Sequence, residues 1–362
     1  MKKPAQKPAP PPLTVDPVTV EIVRNGIITV TDDMKTSLVR AAASTVIYEA
    51  QNFAVGLFSP AGEMVSTGVG LPMLVGAMAQ AVTAKIRHCG AGGMKPGDVY
   101  ITNDPGITGS PLNHIVVTLP IFLKDALIGL ACCVAHWPDI GGVKDGMTAD
   151  VFSEGLQLPI LKYQDRVKVN ADLLDIIRLN VRDEGRARAD LHAQVAAIAT
   201  GERRFLELVT RYGRDQVAGA ITALMDRSEA MARGRMRSIP DGVYEAESFM
   251  DDDGITVGRP VPIRVRVEVK GEDMTIDLTG LSRQVRGFYN SPIATGEACA
   301  QVAFKCLISP ADEPVNDGAF RSLRTILPPG RIVSATRPAP TRSWMTFPMT
   351  VVDTIFKALA PA

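Results

Sequence analysis

Four histidines occur in the chain, His88, His114, His136 and His192, and two of them stand at the ends of long apolar runs. His114 opens a run that reaches Leu123, and His136 closes one that begins at Ala126. Only Lys124-Asp125 separates the runs, a connection short enough for a hairpin. A hairpin centred there sets His114 and His136 opposite each other at one sheet edge. Asp104 lies in the preceding turn, Asn103-Asp104-Pro105-Gly106, and Asp139 in the turn after His136. Imidazole and carboxylate are ligands for zinc, manganese or iron, and either can act as a general base. A histidine at a strand end is often no more than a hydrogen-bonded structural residue. The concentration of two histidines and two aspartates at one predicted edge is what favours a site.

The elements that must hold these residues follow from residue periodicity. Val99 to Thr102 is β-prone and ends in a turn where Pro105 fixes φ and Gly106 accepts a positive one. Asp16-Pro17 is a helix start, and Val20, Val23, Ile27, Val30, Met34 and Leu38 recur at helical spacing, which predicts one amphipathic helix to about Glu49. Asn52 to Phe58 and Met64 to Thr67 read as a hairpin across Ser59 to Glu63, and Met73 to Arg87 as a helix. Lys144 to Leu158 is irregular. A helical region follows from Asp172 to Tyr212-Gly213, with His192 at a structural position, and a further helix from Asp215 to Arg237. At Ser238-Ile239-Pro240-Asp241-Gly242 the pattern changes to alternating strands: Val243 to Met250, Val261 to Val269 and Met274 to Leu278. Thr295 to Ile308 is an Ala-rich helix, and Met349 to Ala362 begins another and stops inside it.

The expected class is therefore α+β, mixed and multi-domain: N-terminal helices with β-hairpins, a central helical region and a C-terminal β-rich domain. The expected divisions are a disordered Pro-rich arm over residues 1–15, a site-bearing α/β domain over 16–238, and a β-rich domain over 239–362 whose C-terminal end is incomplete.

Lys plus Arg and Asp plus Glu are both 39, so the net charge is zero and the electrostatic basis for binding nucleic acid or an anionic membrane is missing. The five cysteines are odd in number and form no CxxC; adjacent Cys132 and Cys133 should point to opposite faces of a strand. They read as reduced thiols of a cytoplasmic protein. No apolar run is long enough to predict a membrane span, and the Pro-rich amino terminus has no signal-peptide core. Asp251-Asp252-Asp253-Gly254 lacks the spacing of a calcium loop and reads as a turn. Neither GxxxxGK[ST] nor GxGxxG occurs, so ATP is not expected to bind this chain.

Several short motifs carry a resemblance: Asp16-Pro17-Val18-Thr19 with Glu21 to Asn25, Asn103-Asp104-Pro105, Ala135-His136 with Asp139 to Gly142, Glu154-Gly155-Leu156, Asp190-Leu191 with Gln194, Gly201-Glu202-Arg203-Arg204, and Asp277 to Gly280 with Asn290-Ser291-Pro292. In this order, from Asp16 onward, the chain resembles the hydantoinase B/oxoprolinase family. That family includes subunits of ATP-dependent hydantoinases, 5-oxoprolinases, caprolactamase, and acetone and acetophenone carboxylases. The resemblance implies a hydantoinase A-type partner that binds ATP and phosphorylates a lactam carbonyl or a ketone enol. The B-type subunit then takes the activated intermediate to hydrolysis or carboxylation, commonly at a divalent metal such as zinc or manganese.

This sequence departs from the family pattern at the metal. The positions matching the family ligands are Asn52, Pro111, His114 and His136, and a further family histidine is here Leu74; His136 alone keeps its type. An amide replaces a carboxylate, and proline cannot ligate through its side chain. The reading of function is a subunit of an ATP-dependent ketone carboxylase or lactam/hydantoin hydrolase. His114 and His136 line the pocket and are the candidate metal ligands, with Asp104, Asp139 and Glu49 as further candidate bases or orienting groups. The loss of ligands leans toward the carboxylase branch, because enolate stabilisation and CO2 capture need donors and a dry cavity more than a metal-bound hydroxide. The alternative is a non-catalytic structural subunit with a degenerate site. Expected partners are the A-type subunit, a further chain completing the C-terminal part, and a small ketone or lactam.

Overall fold

The computed structural model describes residues 15–90, 92–144, 146–308 and 315–362; the arm expected over residues 1–15 lies, but for Val15, outside them. Helix α1, Pro17–Ala41, starts as its sequence predicts: the Asp16 carboxylate accepts from the main-chain N–H of Val18 and Thr19 at 3.1 and 3.0 Å, and Pro17 occupies the first turn. The helix does not continue to Glu49. Asp190, fully buried on a distant helix, accepts from the N–H of Ala43 and Ser44 at 2.8 and 3.1 Å and from the Ser44 hydroxyl. Those N–H groups are thereby taken from the helical ladder, and only a single turn, α2 (Thr45–Tyr48), follows.

Strands β1 (Phe53–Phe58) and β2 (Met64–Val69) form the expected hairpin, and helix α3 (Val75–Cys89) leads to β3 (Val99–Thr102). A short helix α4 (Pro105–Thr108) precedes the long pair β4 (His114–Leu123) and β5 (Ala126–His136), and β6 (Leu161–Asp165) and β7 (Lys168–Val169) complete an antiparallel sheet in the order β2-β1-β5-β4-β3-β6-β7. Helices α5 (Ala171–Asn180), α6 (Glu184–Tyr212) and α7 (Arg214–Met236) follow. A second sheet, β11-β10-β9-β8, contains β8 (Gly242–Met250), β9 (Val261–Lys270), β10 (Asp273–Asp277) and β11 (Leu323–Ile326), with β10 and β11 parallel. Helices α8 (Ile293–Ile308) and α9 (Thr346–Leu359) pack on each other, α9 lies on β8 and β9, and α3 meets α8.

Alternation along β4 and β5 divides the core in two. Ile115, Val117 and Cys133 face α1 and α6 in one apolar cluster, while Val116, Cys132 and Val134 face the other way, toward α3, α8 and the second sheet. Cys132 and Cys133 thus do point to opposite faces, and both are free thiols. The second cluster joins Ala54, Met78 and Cys132 to Val265, Phe304 and Phe347, so residues on both sides of the Ser238 to Gly242 transition share one apolar core. Close approach is needed between α1 and α6: a Cβ on Gly201 would stand 2.6 Å from the Met34 sulfur. Among the described residues no helix is long and apolar enough to cross a membrane.

Candidate functional site

The hairpin register sets His114 directly opposite His136. On the next strand Phe53 pairs with Ala135, and the His136 N–H donates to the Asn52 carbonyl at 3.0 Å. Asn52, His136 and His114 therefore stand side by side across three adjacent chains at one end of the central sheet. Residues directly opposite in a sheet share a face. Here it is the face of Ala54, Val134 and Val116, under α3 and α8.

Three local networks fix this edge. The Asn103 side chain is wholly engaged: its amide donates to the carbonyls of Leu112 and Leu156 at 2.7 and 2.9 Å, and its oxygen accepts from the Leu158 N–H at 2.6 Å. This anchors the loop between β3 and β4. Gly109 in that loop has φ +59° and presents its carbonyl to the Ala294 N–H at 3.0 Å, where a Cβ would stand 2.7 Å from the Ala294 nitrogen. Beyond the histidines, Asn113 and Trp137 exchange hydrogen bonds, and the Trp137 indole donates to Gln194, whose amide donates to the Ile115 carbonyl at 2.9 Å. The motif residues Asn103 and Gln194 are thus fasteners around the histidine pair.

His114 is fully buried, and its Nδ1 shares a hydrogen bond with the Ser110 hydroxyl. The His136 ring lies 5.3 Å from it, centroid to centroid, at 66°, and the Trp344 ring 4.7 Å away at 90°. Three buried polar atoms at this edge have no partner: His114 Nε2, His136 Nδ1 and Asn52 Oδ1. An unpaired buried polar group costs about 1–3 kcal/mol, so three together are unusual for a site with no ligand. Burial drives the His114 imidazole well below its ordinary pKa, and the neighbouring His136 adds to the effect. Burial takes His136 down to about 4. Both rings are neutral at physiological pH.

The three carboxylates named beside them are placed elsewhere. Asp104 caps α4, accepting from the Gly106 N–H at 2.9 Å. Asp139 accepts from the N–H groups of Gly141 and Asp183 at 3.0 and 3.1 Å, from the Arg182 N–H, and from the Arg182 guanidinium at 2.9 Å. Burial alone would raise its pKa; those donors outweigh it and hold the carboxyl below its usual value. Glu49 is exposed at the end of α2. Pro111 and Leu74 are buried and apolar, and His88 and His192 are exposed on α3 and α6. Sequence reasoning does not single out Ser110 or Trp344: a serine four residues before a histidine carries no distinctive signal, and Trp344 arrives from 230 residues away.

As to a metal, no group of three or more His, Cys, Asp or Glu among the described residues is arranged to hold one. The donors at this edge are two neutral imidazoles and an amide oxygen, without the anionic ligand that manganese prefers or the third strong ligand of a catalytic zinc site. The set does not fit the divalent metal that the family resemblance implies.

The comparisons with known proteins agree with the motifs. The family model described as Hydantoinase B/oxoprolinase matches residues 16–362. The chain is 31% identical over 363 aligned residues to a putative D-/L-hydantoinase subunit of the B type from Pseudomonas sp. (strain NS671), covering 96% of this chain and 61% of that protein. It is 31% identical to the beta subunit of caprolactamase from Pseudomonas jessenii, covering 96% and 60%. The solved ATP-dependent caprolactamase from Pseudomonas jessenii superposes with a TM-score of 0.90 at 30% identity, over 97% of this chain and 61% of that one. A nucleotide-free acetone carboxylase structure matches with a TM-score of 0.86 at 19% identity, over 96% and 48%, a likeness of fold. The chain thus spans about three fifths of the length of these curated relatives. With the model matched over nearly its whole length, this chain belongs to the hydantoinase B/oxoprolinase family.

Proposed function

We propose that this chain works as the B-type part of an ATP-dependent enzyme, where His114 and His136 line the pocket for a substrate activated by a separate ATP-binding subunit. The observation that carries the reading is the pair of neutral imidazoles with unpartnered nitrogens at one sheet edge. In the tautomer whose Nδ1–H donates to Ser110, the lone pair of His114 Nε2 is free to take a proton. In hydrolysis of a lactam phosphorylated on its carbonyl oxygen, water adds to the ring C=N carbon as one imidazole takes its proton and the π electrons move to the nitrogen, steadied by a hydrogen bond from the other imidazole. The C–N bond then breaks with that proton delivered to the amine, and the acyl phosphate left is hydrolysed by a second water to carboxylate and phosphate. Burial keeps the base unprotonated at the expense of its basicity, and leaves the dipoles around it unaveraged by water.

Of the two chemistries, a cyclic amide is the better-supported substrate. Two of the relatives at 31% identity carry the names of a hydantoinase and a caprolactamase, both cyclic-amide enzymes, while the likeness to acetone carboxylase is one of fold. No step is routed through a metal, because the donor set lacks an anionic ligand. The rival reading, a structural subunit with a degenerate site, draws on Asn52, Pro111 and Leu74 standing where the family has ligands. Purification from the native cells under mild conditions, with mass spectrometry of every co-purifying chain, tests the proposal. An ATP-binding chain of the A type and ATP-dependent consumption of a lactam or hydantoin are expected. A protein that emerges without such a partner contradicts it.

A further inference from the structure

Glu154 is 6% exposed and sits at the end of a 3-10 turn, Val151–Glu154, in the loop that follows Asp139. Its carboxylate faces neutral donors. Oε1 accepts from the Thr148 hydroxyl at 2.9 Å and from the main-chain N–H groups of Thr341 and Arg342 at 2.6 and 2.8 Å. Oε2 accepts from the Thr341 hydroxyl at 3.1 Å. Removing a carboxylate from water is costly, and here the cost is offset mainly by donors of one distant segment. That segment is strapped down at further points. The Val151 N–H donates to the Pro338 carbonyl at 2.9 Å, the Arg342 guanidinium reaches the carbonyls of Val143 and Lys144, and the Asn290 amide donates to the Pro340 carbonyl at 3.1 Å. Three residues beyond Thr341 is Trp344, whose carbonyl accepts from the Ser291 hydroxyl and whose ring packs on His114 at 4.7 Å.

We propose that Glu154 is a positioning residue for the histidine pocket: its carboxylate fastens the 341–344 turn so that Trp344 stays packed against His114, shields one side of that ring from bulk solvent and fixes its orientation. Glu154 touches neither histidine and acts through Trp344. The inference assigns a purpose to two motifs that the histidine chemistry leaves unused, Glu154-Gly155-Leu156 and Asn290-Ser291-Pro292, which both hydrogen-bond to the 340–344 segment. It deepens the proposed function and rests on it for its catalytic meaning.

The test reads Trp344 directly, because the chain has two tryptophans and the other, Trp137, is 1% exposed. Trp344 is 4% exposed, so wild-type emission should resist acrylamide. In the purified protein, Glu154→Ala should raise the quenching constant several-fold and shift emission to the red. Glu154→Gln, whose amide oxygen still accepts from both N–H groups, should restore the wild-type signal. In a Trp344→Leu background, Glu154→Ala should change nothing. Equal shielding in wild type and Glu154→Ala overturns the proposal, as does the same rise with Trp344 absent. Should Glu154→Ala fail to fold, Glu154→Asp replaces it; that variant retracts the carboxylate by one methylene, and unchanged quenching overturns the proposal. Quenching is independent of turnover. A moved signal with unaltered kcat/KM in the ATP-dependent complex refutes the pocket reading and leaves the clamp standing; an unmoved signal refutes the clamp.

Discussion

Lys85 is the largest charged side chain in the interior, with no exposed surface, and it allows a quantitative test of how dry the interface between α3 and the central sheet is. Its ammonium donates to the carbonyls of Tyr100 and Val116 at 3.4 and 3.0 Å and to the Thr118 hydroxyl at 2.9 Å. All three acceptors are neutral, and burial lowers its pKa from 10.5 to about 8. At 1.36 kcal/mol per pKa unit, the charged form costs about 3 kcal/mol in the folded state. The sign follows from proton binding. Below about pH 8 both the folded and unfolded states hold the proton and the penalty is complete; between about 8 and 10.5 the unfolded chain keeps a proton that the folded one has released, so stability from this group rises with pH. Lys85→Met keeps a long unbranched side chain and removes the titration. Its absolute stability also reflects three lost hydrogen bonds, but those do not titrate. The stability of wild type relative to Lys85→Met should therefore rise by about 3 kcal/mol between pH 8 and 10.5, with groups distant from Lys85 cancelling in the difference and Cys89 and Cys132, which interact with it, replaced by serine in both proteins. Urea unfolding of both proteins at several pH values in that window is the assay. A difference that stays flat with pH would refute the reasoning, showing that the three acceptors compensate the buried charge in full.

Two further substitutions bear on the fold and the site. Asp190→Ala should destabilise by about 3 kcal/mol, since the carboxylate accepts from two main-chain N–H groups and a hydroxyl at the break after α1; urea unfolding showing a loss below about 1 kcal/mol would mean the break holds without it. Asn52→Asp places a carboxylate beside His136 and His114 and completes a two-histidine, one-carboxylate donor set. Calorimetric titration with zinc should find binding at least about tenfold tighter than in wild type, and equal affinities would contradict the reading of Asn52 as the missing ligand.

The parts of the fold that are legible in the sequence are those decided locally. The pairing of β4 with β5 follows from a two-residue connection flanked by alternating or continuous apolar runs, which is why the sequence alone brings His114 and His136 to one edge; a strict count from Leu123 and Ala126 would set His114 against Ala135, and a one-residue register shift between Ile121 and Phe122 puts it opposite His136. The opposite orientation of Cys132 and Cys133 follows from the same alternation. The length of α1 is not legible, because it is set by Asp190, which reaches the chain from 146 residues away. Distance in sequence also hides Trp344 and the Glu154 clamp. The aspartates are near the site in sequence but not in chemistry: Asp104 and Asp139 are short acids in turns, and such residues are captured by the N–H groups of the turn itself. What the family motifs mark are polar residues with structural work to do: Asp16 caps its own helix, and Asn103, Asp190 and Gln194 fasten one segment to another.

The central claim is that the neutral histidine pair does chemistry, and the most direct measurement is ATP-dependent turnover of the assembled enzyme carrying His136→Ala or His114→Ala. ATP hydrolysis by the partner should persist in both variants, while conversion of the cyclic amide falls by about 10²-fold or more, the range lost with a general base. Wild-type turnover in both variants, with the complex intact, would contradict the account and leave this chain a structural subunit.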